Sequence, residues 1–226
     1  MAELSTRLDS VKENIERAAR AARRDPAGVD LVAVSKTHPP EVIREALDAG
    51  QSLFGESRVQ EARAKLPLLP ARAHWHFIGH LQKNKMRQAL PLFELFHGVD
   101  SLESAREMNR VAKEMGLYPR VLLQVNLAGE SSKFGFSPDG LRRELEEILT
   151  LDRVQVDGLM TIPPAAPEAE ASRRCFAGLW ELRDELQAAF GVPLKHLSMG
   201  MTQDYTVAVE ERATLVRVGT AIFGPR

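Results

Sequence analysis

The apolar residues of this chain follow two rhythms. Leu4, Leu8, Val11, Ile15, Ala18 and Ala22 recur at intervals of three and four, which lays one apolar stripe along an opening helix. Asp25-Pro26-Ala27-Gly28 should stop it, since proline cannot continue the ladder and glycine favours a break. Beyond this point short apolar runs alternate with longer stretches of helical periodicity. Eight runs predict strands, over 30–34, 52–54, 75–78, 95–99, 120–126, 155–160, 196–199 and 215–218. The intervening stretches 41–49, 102–115, 141–150 and 168–189 predict helices. Runs such as Leu31-Val32-Ala33-Val34 and Val121-Leu122-Leu123-Gln124-Val125 are apolar nearly throughout. Parallel strands covered on both faces look like this; half-exposed strands alternate. Eight strands each followed by a helix point to an α/β fold, a single (β/α)8 barrel with an extra N-terminal helix. An open doubly wound sheet is the alternative.

The 226 residues suit one barrel domain spanning 1–226, and 44% apolar content suffices for its core. A formal charge of -1 offers no field for nucleic acid or anionic lipid. Cys175 is the only cysteine, so no internal disulfide can form, which suits a reducing compartment. The Arg- and Glu-rich start has no apolar signal segment, and no stretch is long and apolar enough to span a membrane. A cytoplasmic location is expected.

Active sites of such barrels lie at the C-terminal ends of the strands. Lys36 follows the first buried run, in the strand end Ser35-Lys36-Thr37, and a partly desolvated lysine becomes a nucleophile toward aldehydes. For a lone lysine the commoner reading is a stem that reaches into water. The last two strand ends shift the balance. Gly219 and Thr220 after the eighth strand, with Ser198 and Gly200 after the seventh, occupy the usual phosphate corner of these barrels. Each pair alone reads as an ordinary turn; together with Lys36 they suggest a ligand bearing an aldehyde and a phosphate. Arg217 either faces the barrel mouth or pairs with a carboxylate. Among the histidines, His80 at a strand end is the one expected to line the site. His74 and His76 share a strand face but lack the partners a metal needs.

These residues carry a resemblance that covers nearly the whole chain. It runs through Leu31-Val32-Ala33-Val34-Ser35-Lys36-Thr37, Phe54-Gly55-Glu56 with Val59-Gln60-Glu61, and Trp75 to Gln82 with Asn84-Lys85. It continues through Val125-Asn126 with Glu130, Lys133 and Gly135, Gly158-Leu159-Met160, Leu197 to Met201 with Asp204, and Val216 to Gly224. On these motifs the chain resembles the pyridoxal phosphate homeostasis proteins, whose barrel is similar to the N-terminal domain of alanine racemase. The resemblance implies pyridoxal 5'-phosphate as cofactor, held as a Schiff base on Lys36. Ser198, Gly200, Gly219 and Thr220 would then hold the phosphate, Arg217 would face the pyridine nitrogen, and Ser57, His80 and Met160 would complete the site. Ser57 stands where the family usually has asparagine, Thr202 where it has serine, and Arg212 where it has glycine.

A guanidinium keeps its proton, so a pyridine nitrogen facing Arg217 stays neutral and the ring is a weak electron sink. A racemase also needs a second base. The tyrosines are Tyr118, placed before a strand at the wrong end, and Tyr205, expected in the helix after strand seven. Residue Arg226 follows the phosphate turn closely, and the β-domain that supplies that base in racemases is not expected. The expectation is a non-catalytic carrier in vitamin B6 homeostasis, a monomer that serves apo-enzymes transiently. The alternatives are a racemase or weak lyase using the same cofactor, and a cofactor-free Schiff-base aldolase. Lys133, in Glu130-Ser131-Ser132-Lys133-Phe134-Gly135, is read as a surface lysine or as a second lysine taking the cofactor in transit. The basic group Arg72, Lys83, Lys85 and Arg87 is read as a solvated face, and the tryptophans and methionines as core. Cys175 is expected mid-helix and inert.

Overall fold

The computed structural model describes residues 2–130 and 133–225. Ser131 and Ser132 of the loop motif, and Arg226, lie outside the described residues. Helix α1 (Ala2–Ala21) precedes β1 (Asp30–Val34), α2 (Pro40–Asp48), β2 (Leu53–Glu56), α3 (Val59–Lys65), β3 (His74–Phe77), α4 (Met86–Ala89) and β4 (Leu95–Val99). There follow α5 (Leu102–Met115), β5 (Arg120–Gln124), α6 (Pro138–Leu149), β6 (Gln155–Met160), α7 (Arg173–Phe190), β7 (His196–Ser198), α8 (Tyr205–Glu210), β8 (Leu215–Val218) and α9 (Thr220–Phe223). The strands pair in sequence order, all parallel, and β8 closes on β1 through Asp30↔Leu215 to Ala33↔Val218. Closure removes the open-sheet alternative.

Four strands have the predicted limits; the others differ for local reasons. β2 runs on to Glu56, a fully buried carboxylate that its sequence neighbours do not announce. β5 stops at Gln124 because the Asn126 side chain folds the chain back, donating to Glu130 O at 2.8 Å and accepting from Gly129 N at 3.1 Å. α1 ends before Asp25 because Arg23 turns left-handed at φ 56°. α6 starts earlier than its periodicity suggests, capped by Ser137 Oγ on Gly140 N at 3.0 Å.

Alternation along the strands sends Leu31, Ala33 and Val216 outward to the helices and Val32, Leu95, Leu122, Met160 and Leu215 into the lumen. Further toward the C-terminal ends the lumen turns polar, with His76, His97, Ser198 and Arg217, all buried. The barrel is thus stoppered below by apolar side chains and lined above by hydrogen-bonding groups. α1 lies across α8 and α9, where Arg7 Nε donates to Ile222 O at 2.8 Å and Asn14 Nδ2 to Tyr205 Oη at 3.0 Å. Arg212, in place of the family's glycine, adopts φ 72°, and its guanidinium lies 4.3 Å from the Trp180 ring centre. The left-handed backbone explains why glycine suits that position.

Candidate functional site

A cavity of about 710 Å³ opens at the C-terminal ends of the strands. Lys36 enters it from the turn after β1, Arg217 from β8, Gly219 and Thr220 from the start of α9, and Lys133 from the loop after β5. The structure therefore brings together four of the residues singled out for cofactor binding. Val34, Ile78, Ile162 and Met201 supply apolar wall.

Arg217 is 4% exposed, and its guanidinium donates to Ser198 Oγ and to Thr161 O, the latter at 3.0 Å. Of the two readings of this arginine, the mouth-facing one holds. Burial lowers its pKa to about 10, with nearby Asp204 opposing, so it remains a cation at neutral pH. This cation fixes the protons around it. Guanidinium can only donate, so Ser198 Oγ accepts from it and must spend its own proton elsewhere. His97 Nδ1 lies 2.8 Å from Ser198 Oγ and takes that proton as acceptor. His97 is then protonated on Nε2, which faces His76 Nδ1 at 3.0 Å. Burial pushes His76 down to about 3 and holds His97 well below 6.5, so the chain runs through two neutral rings.

Ser198 does not line the cavity, and its hydroxyl is fully buried between Arg217 and His97. Met160 is 1% exposed and packs in the lumen against Val32, Leu95, Leu122 and Leu215, below the cavity wall. Gly200 does not line the cavity but shapes its edge. At φ 90°, a Cβ there would stand 2.5 Å from Ala208 Cβ. Ser57 sits at the end of β2 outside the cavity wall, its carbonyl against Gly79. His80 also lies outside the wall, for a visible reason. Its Nδ1 is 2.8 Å from Asp100 Oδ2, and Phe134 stacks on its ring at 4.1 Å between centroids.

Tyr205 lies in α8 as expected, but it is buried and its hydroxyl faces Asn14 rather than the cavity. Tyr118 is exposed before β5, beneath the Arg153 guanidinium. Cys175 sits in the first turn of α7, not mid-helix, with burial raising its thiol. Met201 is 38% exposed at the cavity rim and so departs from the core reading of the methionines. Lys83 and Arg87 pair with Glu103 and Glu114, and Arg72 with Asp48 at 2.6 Å. No group of three or more potential metal ligands occurs among the described residues. No helix is long and apolar enough to cross a membrane, again among the described residues.

Two residues central to the site escape motif reading. His97 is the one polar side chain in the buried run Leu95–Val99, which is itself a usable signal. Lys65 shows only a helical i, i+4 spacing from Glu61, yet it lies buried beneath the Lys36 turn.

Residues 6–226 match the family of the alanine racemase N-terminal domain. A pyridoxal phosphate homeostasis protein of Aquifex aeolicus is 44% identical over 221 residues, 97% of each chain. Its Escherichia coli counterpart is 38% identical over 238 residues, covering 100% of this chain and 98% of the relative. Among solved structures, PipY of Synechococcus elongatus PCC7942 with PLP bound superposes with a TM-score of 0.87 at 42% identity, over 98% of this chain and 100% of that one. Alanine racemase of Clostridium difficile 630 shares the fold alone, at 16% identity and a TM-score of 0.75, over 100% of this chain and 57% of that one. With the barrel, the strand-end lysine and full-length relatives in agreement, the chain belongs to the pyridoxal phosphate homeostasis protein family, within the alanine racemase N-terminal domain fold.

Proposed function

We propose that this protein is a non-catalytic, cytoplasmic carrier of pyridoxal 5'-phosphate that acts in vitamin B6 homeostasis. The observation that carries this reading is one cavity holding a half-buried amine, a buried donor-only cation and a glycine-opened turn. When bound, pyridoxal phosphate supplies an aldehyde that condenses reversibly with a primary amine, and Lys36 is the amine assigned to it. Gly219 and Thr220 would receive the phosphate. A Cβ on Gly219 would come 3.3 Å from Val34 O, so a side chain there would crowd the first strand. Within α9, Ile222 N and Phe223 N already donate to Gly219 O at 2.9 and 3.0 Å, so the backbone would meet an anion here through the N–H groups of Thr220 and Ala221. Arg217 would donate to the ring nitrogen, and the His97–Ser198 chain keeps its guanidinium turned to that task.

This donor set favours holding over chemistry. A permanently protonated neighbour cannot pass its proton to the ring, and neither tyrosine stands where a second base would have to be. Reduction of the cofactor-saturated protein with borohydride, followed by digestion, is expected to leave the label on Lys36. Label on a different lysine would sink the assignment. Racemisation of any amino acid above the Lys36→Ala background would overturn the non-catalytic reading.

Lys133 is the second lysine at this cavity, its Nζ 3.0 Å from Glu130 Oε2 and 3.2 Å from Pro163 O. In this reading it takes the cofactor on its way out to an apo-enzyme. Lys133→Ala should slow transfer to an apo-enzyme several-fold while Lys36 still becomes labelled. An unchanged transfer rate removes Lys133 from the route.

A further inference from the structure

We infer that Lys65 is a positioning residue for Lys36, gathering the backbone on both sides of it into one knot that is buried at Lys65 and Glu56. Lys65 ends α3 and is 6% exposed. Its Nζ donates to Ser35 O at 3.0 Å and His38 O at 3.1 Å, the residues that bracket the Lys36 turn. It also reaches Glu56 Oε1 and Glu61 Oε1, each at 2.7 Å. The two carboxylates grip the same turn. Glu56 Oε1 accepts from Ser35 Oγ at 2.7 Å, and Glu61 Oε1 accepts from Thr37 N at 2.5 Å. Both neighbours of Lys36 are therefore tied to one ammonium, directly or through one carboxylate.

The turn needs such a grip. Thr37 sits at φ 70°, a conformation that a β-branched residue adopts only under constraint from its surroundings. Four acceptors share three ammonium protons, so every proton is used and at least one is divided. Burial opposes ionisation of Glu61, but the hydrogen bonds from Lys65 and Thr37 outweigh it and hold the carboxyl below its ordinary range. Burial pushes Glu56 the other way, and its Oε2 is buried without a hydrogen-bond partner among the described residues. One cation serves two acids, and the deeper acid is left short.

Packing alone does not call for this arrangement. A buried ion cluster is costly, and an apolar side chain of similar volume often serves stability as well or better. None of Glu56, Glu61 and Lys65 lines the cavity, so they act on a ligand only through the turn they hold. What an ammonium offers that a methionine cannot is a grip on two carbonyls and two carboxylates at once.

The inference rests on the reading that Lys36 captures the aldehyde, and the test separates the two. Capture of pyridoxal phosphate would be followed by stopped-flow absorbance in the full-length wild type, Lys65→Met and Glu61→Gln, with borohydride labelling and thermal unfolding alongside. Lys65→Met is expected to lower the limiting capture rate at least tenfold. The half-saturating concentration should stay the same, because the phosphate corner is untouched. Label should spread from Lys36 to Lys133, the second lysine of the cavity, while unfolding remains a single transition. Glu61→Gln, which leaves Lys65 its other acceptors, should lower the limiting rate several-fold, and it decides the matter if Lys65→Met does not fold. Unchanged rates with label confined to Lys36, or rate and half-saturation shifting together, would overturn the positioning role alone. Label absent from Lys36 in the wild type would overturn the carrier reading as well.

Discussion

Acidification from pH 7 to 4.5 is expected to destabilise this protein by about 2–3 kcal/mol, the loss from its buried histidines being partly offset by Glu56. The reason lies in the barrel lumen. Burial holds His76 at about 3 and His97 well below 6.5, and half-buried His196 is shifted the same way. In the unfolded chain these rings take a proton near pH 6.5. Between the two values the unfolded state binds more protons than the folded one, so stability is complete above 6.5 and falls as the pH drops toward 3. For His76 alone, ~1.4 kcal/mol per unit of pH over that range sets an upper limit of about 5 kcal/mol. Raised Glu56 acts in the opposite sense, and depressed Glu61 adds to the loss only at lower pH. Denaturant midpoints measured at pH 7, 6, 5 and 4.5 check this. A flat profile across that range would contradict neutral lumen rings. Acid should also loosen Arg217, since a charged His97 would repel the guanidinium that Ser198 links to it.

The other large effect expected is on Gly158→Ala. A Cβ at this position would stand 2.0 Å from His196 O and 2.7 Å from His196 C, backbone atoms of the neighbouring strand. Gly158 and His196 are register partners, so the clash cannot be relieved by a side-chain rotation; β6 and β7 must part. Overpacking relieved only by moving backbone should cost at least about 3 kcal/mol. The same strands set Met160 beside Ser198, so the hydroxyl that holds Arg217 should shift as well. Calorimetry would register the loss as a drop of roughly 6–12 °C in melting temperature for a chain of this size. A variant melting within a degree or two of its parent would show that the two strands are not as close as described. The Gly158-Leu159-Met160 motif thus has a physical reason: only a hydrogen fits between these strands.

Much of the cavity was legible in the chain. Lys36, Gly219 and Thr220 follow from one rule, that barrel chemistry collects after the strands, while Arg217 lies within β8 and only the structure shows that it reaches the cavity. His80 and Ser57 obey the same rule and still miss the cavity wall. Strand-end position fixes the face of the barrel but not the direction of the side chain, and here Asp100 and Phe134 claim the His80 ring. A hydroxyl suits a phosphate or a guanidinium alike, and no local pattern announces that the depth of Ser198 in the lumen sets its hydroxyl against Arg217.

The sequence by itself determined a parallel sheet covered by helices, and the pairing of β8 with β1 decided that it closes into a barrel. Nearly unbroken apolar runs, each followed by an amphipathic stretch, leave parallel strands covered on both faces as the stable arrangement, because any other packing would expose them. It also determined that an amine and a glycine-threonine turn share one face. Tertiary structure alone decided the contacts across the lumen and beneath the first turn: His97 with His76 and Ser198, and Lys65 with Ser35, Glu56 and Glu61. The lumen partners lie up to 101 positions apart in the chain. No local pattern encodes them, because closing the barrel is what sets their distances and removes the water that would otherwise have satisfied them.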